Sequence, residues 1–112
     1  MNVNEVYTTD DRLEQALEAV AAIEPDFEKA LIDHANAETT YRVRKSEEFL
    51  KAEGTIQSRE ATAIVAVKQL LEQRNRAEAV KDFLKEKLRD RQAAVSARQS
   101  LLSAEVKTNR AF

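Results

Sequence analysis

His34 is the only histidine among 112 residues, and there is no cysteine. A histidine-based metal site or a Ser/His/Asp triad would have to rest on that one imidazole. With Glu38 four residues on, His34 reads more simply as a polar member of a helix face. The neighbouring acids Asp10 and Asp11, or Glu47 and Glu48, point different ways on a helix and make poor acid/base pairs. No GxGxxG, GxxxxGK[ST] or EF-hand pattern occurs, and a single glycine cannot build a glycine-rich phosphate cradle. The sequence therefore predicts no catalytic, cofactor-binding or metal-binding residue, and a protein that is not an enzyme.

One basic concentration stands out: Arg74, Arg76, Lys81, Lys85, Lys87, Arg89, Arg91 and Arg98. Six of these, Arg74, Arg76, Lys81, Lys85, Arg89 and Arg91, are the residues that would touch nucleic acid. Against that, Glu78, Asp82, Glu86 and Asp90 interleave at spacings that suit pairing within the helix. Phe83 is the only aromatic side chain there, whereas single-stranded nucleic acid calls for several stacking platforms.

The elements that carry these residues are all helical. Thr8, Thr9 and Asp10 are N-cap candidates, and Asp11 completes a weak capping box with Thr8. Leu13, Leu17, Val20 and Ala21 recur at helical spacing and predict a first helix over 10–24, after a flexible lead over 1–9. Pro25, followed by Asp26 and Glu28, reads as the first position of a second helix over 25–53. Gly54 suits the left-handed conformation that ends a helix, and Thr55 can cap the next. From 56 to 106 there is neither Gly nor Pro, and strong helix formers dominate, so a long third helix is predicted, with a tail over 107–112.

These pieces predict a single all-α domain: a long antiparallel helical hairpin, coiled-coil-like, with a short N-terminal helix. With Gly54 as the bend, residues whose numbers add to about 111 face each other. The predicted seam on the third helix runs through Ala63, Val67, Leu70, Arg74, Ala77, Lys81, Leu84, Leu88, Val95, Leu102 and Val106. Its counterpart is Phe27, Leu31, His34, Glu38, Tyr41, Lys45 and Phe49. A cross-hairpin ion pair between Glu38 and Arg74 follows from that register and would specify it more than stabilise it.

Composition sets limits on the core. Of the residues counted as hydrophobic, which make up 43% of the chain, 18 are Ala, so any core is thin and a deep substrate pocket is not expected. Residues 1–41 hold ten acids against Arg12 and Lys29, and residues 42–112 hold ten acids against sixteen bases. Side by side in a hairpin, the two parts would attract each other. No apolar run approaches membrane-spanning length, and MNVNEVYTTDD lacks the basic start and apolar stretch of a secretory signal. A cytoplasmic protein with no membrane partner, its chain not processed, is the expectation.

YRVRKSEEFLKAEGTIQSREA at 41–61, RAEAV at 76–80 and RQSLLSAEV at 98–106 resemble a family of small, uncharacterised helical proteins encoded by tailed bacteriophages of Gram-positive bacteria. The family's turn often carries Thr followed three residues on by an acid, where this chain has Thr55 and Ser58, so the cap is weaker. The resemblance implies an early or recombination gene setting and action in the host cytoplasm. It implies no reaction and carries over no functional residue. The expected function is protein binding, as an adaptor or inhibitor of a host or phage factor, with Phe83, Leu101 and Val80 as candidate anchors. Val80 is expected to be covered by the first helix. Nucleic-acid binding through the basic stretch is the alternative, and a homodimer is one way to cover an exposed helix face.

Overall fold

The computed structural model describes residues 8–111. It is all-α, with helices α1 (Thr9–Lys51), α2 (Ile56–Ala66) and α3 (Lys68–Ala111) and no strand among the described residues. Of the predicted lead over 1–9, residues 1–7 lie outside the described residues, while Thr8 is bonded to Asp11 and Thr9 already belongs to α1.

The start of α1 follows from its cap. Asp11 N–H donates to Thr8 Oγ1 at 3.2 Å, while Asp11 Oδ2 accepts from Thr8 N–H at 3.1 Å and from the Thr8 hydroxyl at 2.9 Å. Two N-terminal donors are thus satisfied reciprocally. The helix does not stop at Glu24, as the sequence reading expects. It runs unbroken through Pro25 to Lys51. A proline inside a helix leaves the carbonyl four residues back, here Ala21, without its donor, at a cost of about 3 kcal/mol. Both Ala21 and Pro25 are exposed, so water can satisfy that carbonyl, while buried Ile23 and half-buried Phe27 hold the backbone on the opposite side.

The reversal sits where the glycine places it. Gly54 has φ 106°, a conformation that an L side chain adopts only with strain. Thr55 is extended at φ −71°, ψ 164°, and its hydroxyl accepts from Ser58 N–H at 3.2 Å, which caps α2. The predicted third helix is interrupted once. Val67, at φ −105° and ψ 14°, separates α2 from α3, although its N–H still reaches Ala63 O at 3.2 Å and its carbonyl accepts from Leu71 N–H at 2.9 Å. At the far end α3 continues to Ala111, where a tail from 107 is predicted.

The chain forms two compact units. Unit 1 joins residues 1–27 to 84–112, and unit 2 is the hairpin over 28–83. In both, shielded positions on α1 and α3 alternate in steps of three and four, the repeat of a coiled-coil seam. On α1 they include Leu13, Ala16, Val20, Ile23 and Phe27 in unit 1, then Ala30, His34, Ala37 and Tyr41 in unit 2. On α2 and α3 they include Ala63, Val67, Leu70, Arg74, Ala77 and Lys81 in unit 2, then Leu84, Leu88, Arg91, Val95, Arg98 and Leu102 in unit 1.

Four seam positions differ from the sequence reading. Ala30 is 4% exposed and takes the place predicted for Leu31, which is 43% exposed. Arg91 and Arg98 fill heptad positions left out of the predicted seam, and Val106 lies off it at 42% exposure. Only Ile23, Ala30, Ala63 and Val67 are fully buried among the described residues, so the core is as thin as the alanine content implies.

Candidate functional site

A cluster of hydrogen-bonded charged side chains lies midway along unit 2. Glu38 Oε1 accepts from Arg42 Nε at 2.8 Å, one turn along α1, and Glu38 Oε2 accepts from Arg74 Nε on the opposing helix. Arg74 Nη1 in turn donates to Glu78 and, at 3.1 Å, to Asn75 Oδ1. This is the cross-hairpin pair predicted from the register. The hydrogen bond from Arg74 holds the Glu38 carboxyl below the ordinary glutamate range against the opposing effect of partial burial, and Arg42 adds to the lowering. The same bond pushes Arg74 further up. Every charge here is matched, which makes the cluster a register lock rather than a reactive centre.

His34, one turn before Glu38, sits on the seam, and its Nε2 is buried without a hydrogen-bond partner. Among the described residues, no group of three or more His, Asp and Glu side chains is placed to hold a metal ion.

The basic stretch is largely occupied. Arg74 is held by Glu38 and Glu78, Lys81 lies 3.5 Å from Asp82, and Arg89 lies 3.2 Å from Glu86. Arg91 donates to the Ala19 carbonyl at 2.9 Å, a bond between the two helices of unit 1. Of the six candidate nucleic-acid contacts, Arg76 and Lys85 are the exposed ones to which no ion pair is assigned. The interleaved acids seen in the sequence thus take up several of the cations that a phosphate backbone would need.

The candidate anchors are all accessible. Phe83 is 64% exposed, Val80 52% and Leu101 49%. The expectation that the first helix covers Val80 is not met, because α1 runs straight through Pro25 and has no separate segment to fold over α3. Val80 and Phe83, three residues apart, lie on neighbouring turns of one side of α3 in unit 2. Leu101 belongs to unit 1.

Sequence reasoning missed the end of the hairpin. There Leu50 is 73% exposed and Ile56 72%, two of the most exposed large apolar side chains among the described residues. A groove of about 510 Å³ runs between the last turns of α1 and the start of α2, lined by Lys45, Ser46, Phe49, Leu50, Glu60 and Ala63. Phe49 is fixed in it from two sides, since the Arg59 guanidinium stacks 4.5 Å from its ring centroid and donates to its carbonyl at 3.2 Å. The signal was available in Leu50 and Ile56 flanking the turn, where neither can reach a two-helix seam.

No described helix is long and apolar enough to cross a membrane. No protein-family model, curated protein or solved structure matches this chain.

Proposed function

We propose that this protein works by binding another protein rather than by catalysing a reaction, presenting a face of its helical hairpin as an adaptor or inhibitor of a host or phage factor. The supporting observation is the exposed pair Val80 and Phe83 on α3, apolar side chains at the i, i+3 spacing by which a helix enters a partner's groove. Aromatic anchors of this kind dominate binding energy at small interfaces. The resemblance to phage proteins supports the cytoplasm of an infected cell as the setting of that action.

The test is capture of partners from infected and uninfected host cells with the tagged full chain, run beside a Phe83→Asp variant. A stoichiometric protein retained by the wild type and lost with the variant supports the proposal. If nothing is retained, and a gel shift shows DNA binding that weakens steeply between low and moderate salt, the alternative through Arg76 and Lys85 takes its place.

A further inference from the structure

We propose that His34 makes the hairpin of unit 2 acid-sensitive: a proton taken up at its buried Nε2 sets the imidazolium against the Glu38 and Arg74 contact, and the hairpin loosens as pH falls through the imidazole range. His34 Nε2 is the one buried side-chain polar atom without a hydrogen-bond partner among the described residues. A neutral imidazole can leave one ring nitrogen as an idle lone pair, whereas the imidazolium makes both nitrogens donors. Protonation therefore brings a donor and a charge to an atom already shut off from solvent.

The surroundings hold no spare acid. With Glu38 opposite Arg74 on antiparallel helices, His34 one turn earlier stands level with Ala77 and Glu78 on α3. The shielded seam positions on either side of that level are Arg74 and Lys81, both cations. α2 ends at Ala66, about three turns short of it, so α3 alone faces the imidazole. Each acid nearby already has a cation: Glu38 holds Arg42 and Arg74, Glu78 holds Arg74, Asp82 lies 3.5 Å from Lys81, and Asp33 on α1 lies 3.7 Å from Lys29. An imidazolium then has two courses. It stays unpaired between two cations, or it draws Glu38 or Glu78 away from Arg74 and undoes the contact that fixes the register. Both disfavour the folded hairpin, so the unfolded chain takes the proton more readily. Stability rises with pH wherever the unfolded state binds more protons, so this contribution is present above the ordinary imidazole value of about 6.5 and is lost as pH falls below it.

Amide hydrogen exchange of the full chain, stepped from about pH 7 to about pH 5.5, reads the hairpin directly. That window stays above the ordinary glutamate value of about 4.3, which keeps the titration of Glu38 out of it. Protection of the unit 2 amides around His34 and Ala77, corrected for intrinsic exchange rates, is expected to fall about tenfold across the window, the change that follows when one proton is bound only by the open form. His34→Leu and His34→Gln cannot take that proton, and in both the protection should stay level. Either variant serves if the other does not fold. A wild-type fall that the folded variants abolish supports the proposal. Wild-type protection that stays level or rises on acidification overturns it, as does a fall that a folded variant retains. Neither result bears on what Val80 and Phe83 bind, so the two proposals stand or fall separately.

Discussion

Glu38 serves two cations at once, and the consequence is a stability term that depends on pH. Its carboxyl is held below the ordinary glutamate range, first by the Arg74 hydrogen bond and then by Arg42. A group whose folded pKa is depressed contributes stability that is fully present above its unfolded value and is lost as pH falls through the folded value. Glu38→Gln keeps the shape and removes the charge. The variant should unfold at lower denaturant than the wild type near neutral pH, and the gap between them should close as the solution is acidified below the ordinary glutamate range. Urea titrations followed by circular dichroism at stepped pH measure it. A constant gap across the acid range contradicts this account. Asp11 titrates in the same sense, because the Thr8 N–H and hydroxyl bonds lower its pKa, so the α1 cap weakens as pH falls below the ordinary aspartate range.

Gly54 sets a second limit at this scale. Its φ of 106° lies where a Cβ is strained, although the space is open enough, since an added Cβ would come no nearer than 3.4 Å to Ser58 Oγ. The cost of Gly54→Ala is therefore conformational rather than steric. It should lower stability by about 1–2 kcal/mol, read from the shift in urea midpoint at unchanged slope.

Among the elements, α1 separates what a sequence shows from what only packing decides. The turn was legible because Gly54 and Thr55 each do something no neighbour can, and the Glu38 to Arg74 contact followed once the turn fixed the register. Pro25 misled for a physical reason. It is equally good as the first residue of a helix and as an exposed defect within one, and the choice depends on Ile23 and Phe27 gripping the other side of the same helix. Leu31 stood in the predicted seam where Ala30 is buried, and Arg91 was left out although Arg74 and Lys81 were included, yet the heptad step holds at both positions. Arg91 is tolerated because its head group reaches the Ala19 carbonyl. The exposed groove was not legible at all, since nothing in the spacing of Lys45, Leu50 and Glu60 reveals that the start of α2 forms its other wall.

Pro25 also yields the sharpest element-scale expectation. An exposed proline in an otherwise regular helix leaves stability to be gained, because alanine restores the hydrogen bond to the Ala21 carbonyl. Pro25→Ala should stabilise the protein by about 2–3 kcal/mol in thermal or urea unfolding. A loss of stability instead would mean that the chain needs a distortion at this point, and α1 would then be better regarded as two helices.

At the scale of the whole molecule, the two units are held by different forces. In unit 1 the α1 segment up to Phe27 carries six acids from Asp10 onward against Arg12 alone, while residues 84–112 carry seven bases against three acids. Opposite charge lies along its two helices, and its one fully buried side chain among the described residues is Ile23. Unit 2 is nearly neutral along both arms and contains Ala30, Ala63 and Val67, the other three fully buried residues, together with the Glu38 and Arg74 pair. Salt distinguishes the two. The screening length falls from about 10 Å at 0.1 M to about 3 Å at 1 M, which removes most of the attraction between exposed charges on facing helices and leaves apolar contacts intact. Raising sodium chloride over that range should therefore reduce amide hydrogen-exchange protection in 9–27 and 84–108 by several-fold, while protection around Ala63 and Val67 stays level or rises. Equal losses in both units would mean that the opposite charges of 10–27 and 84–112 are not what holds unit 1 together, and that its seam of Leu13, Val20, Leu88 and Val95 suffices alone.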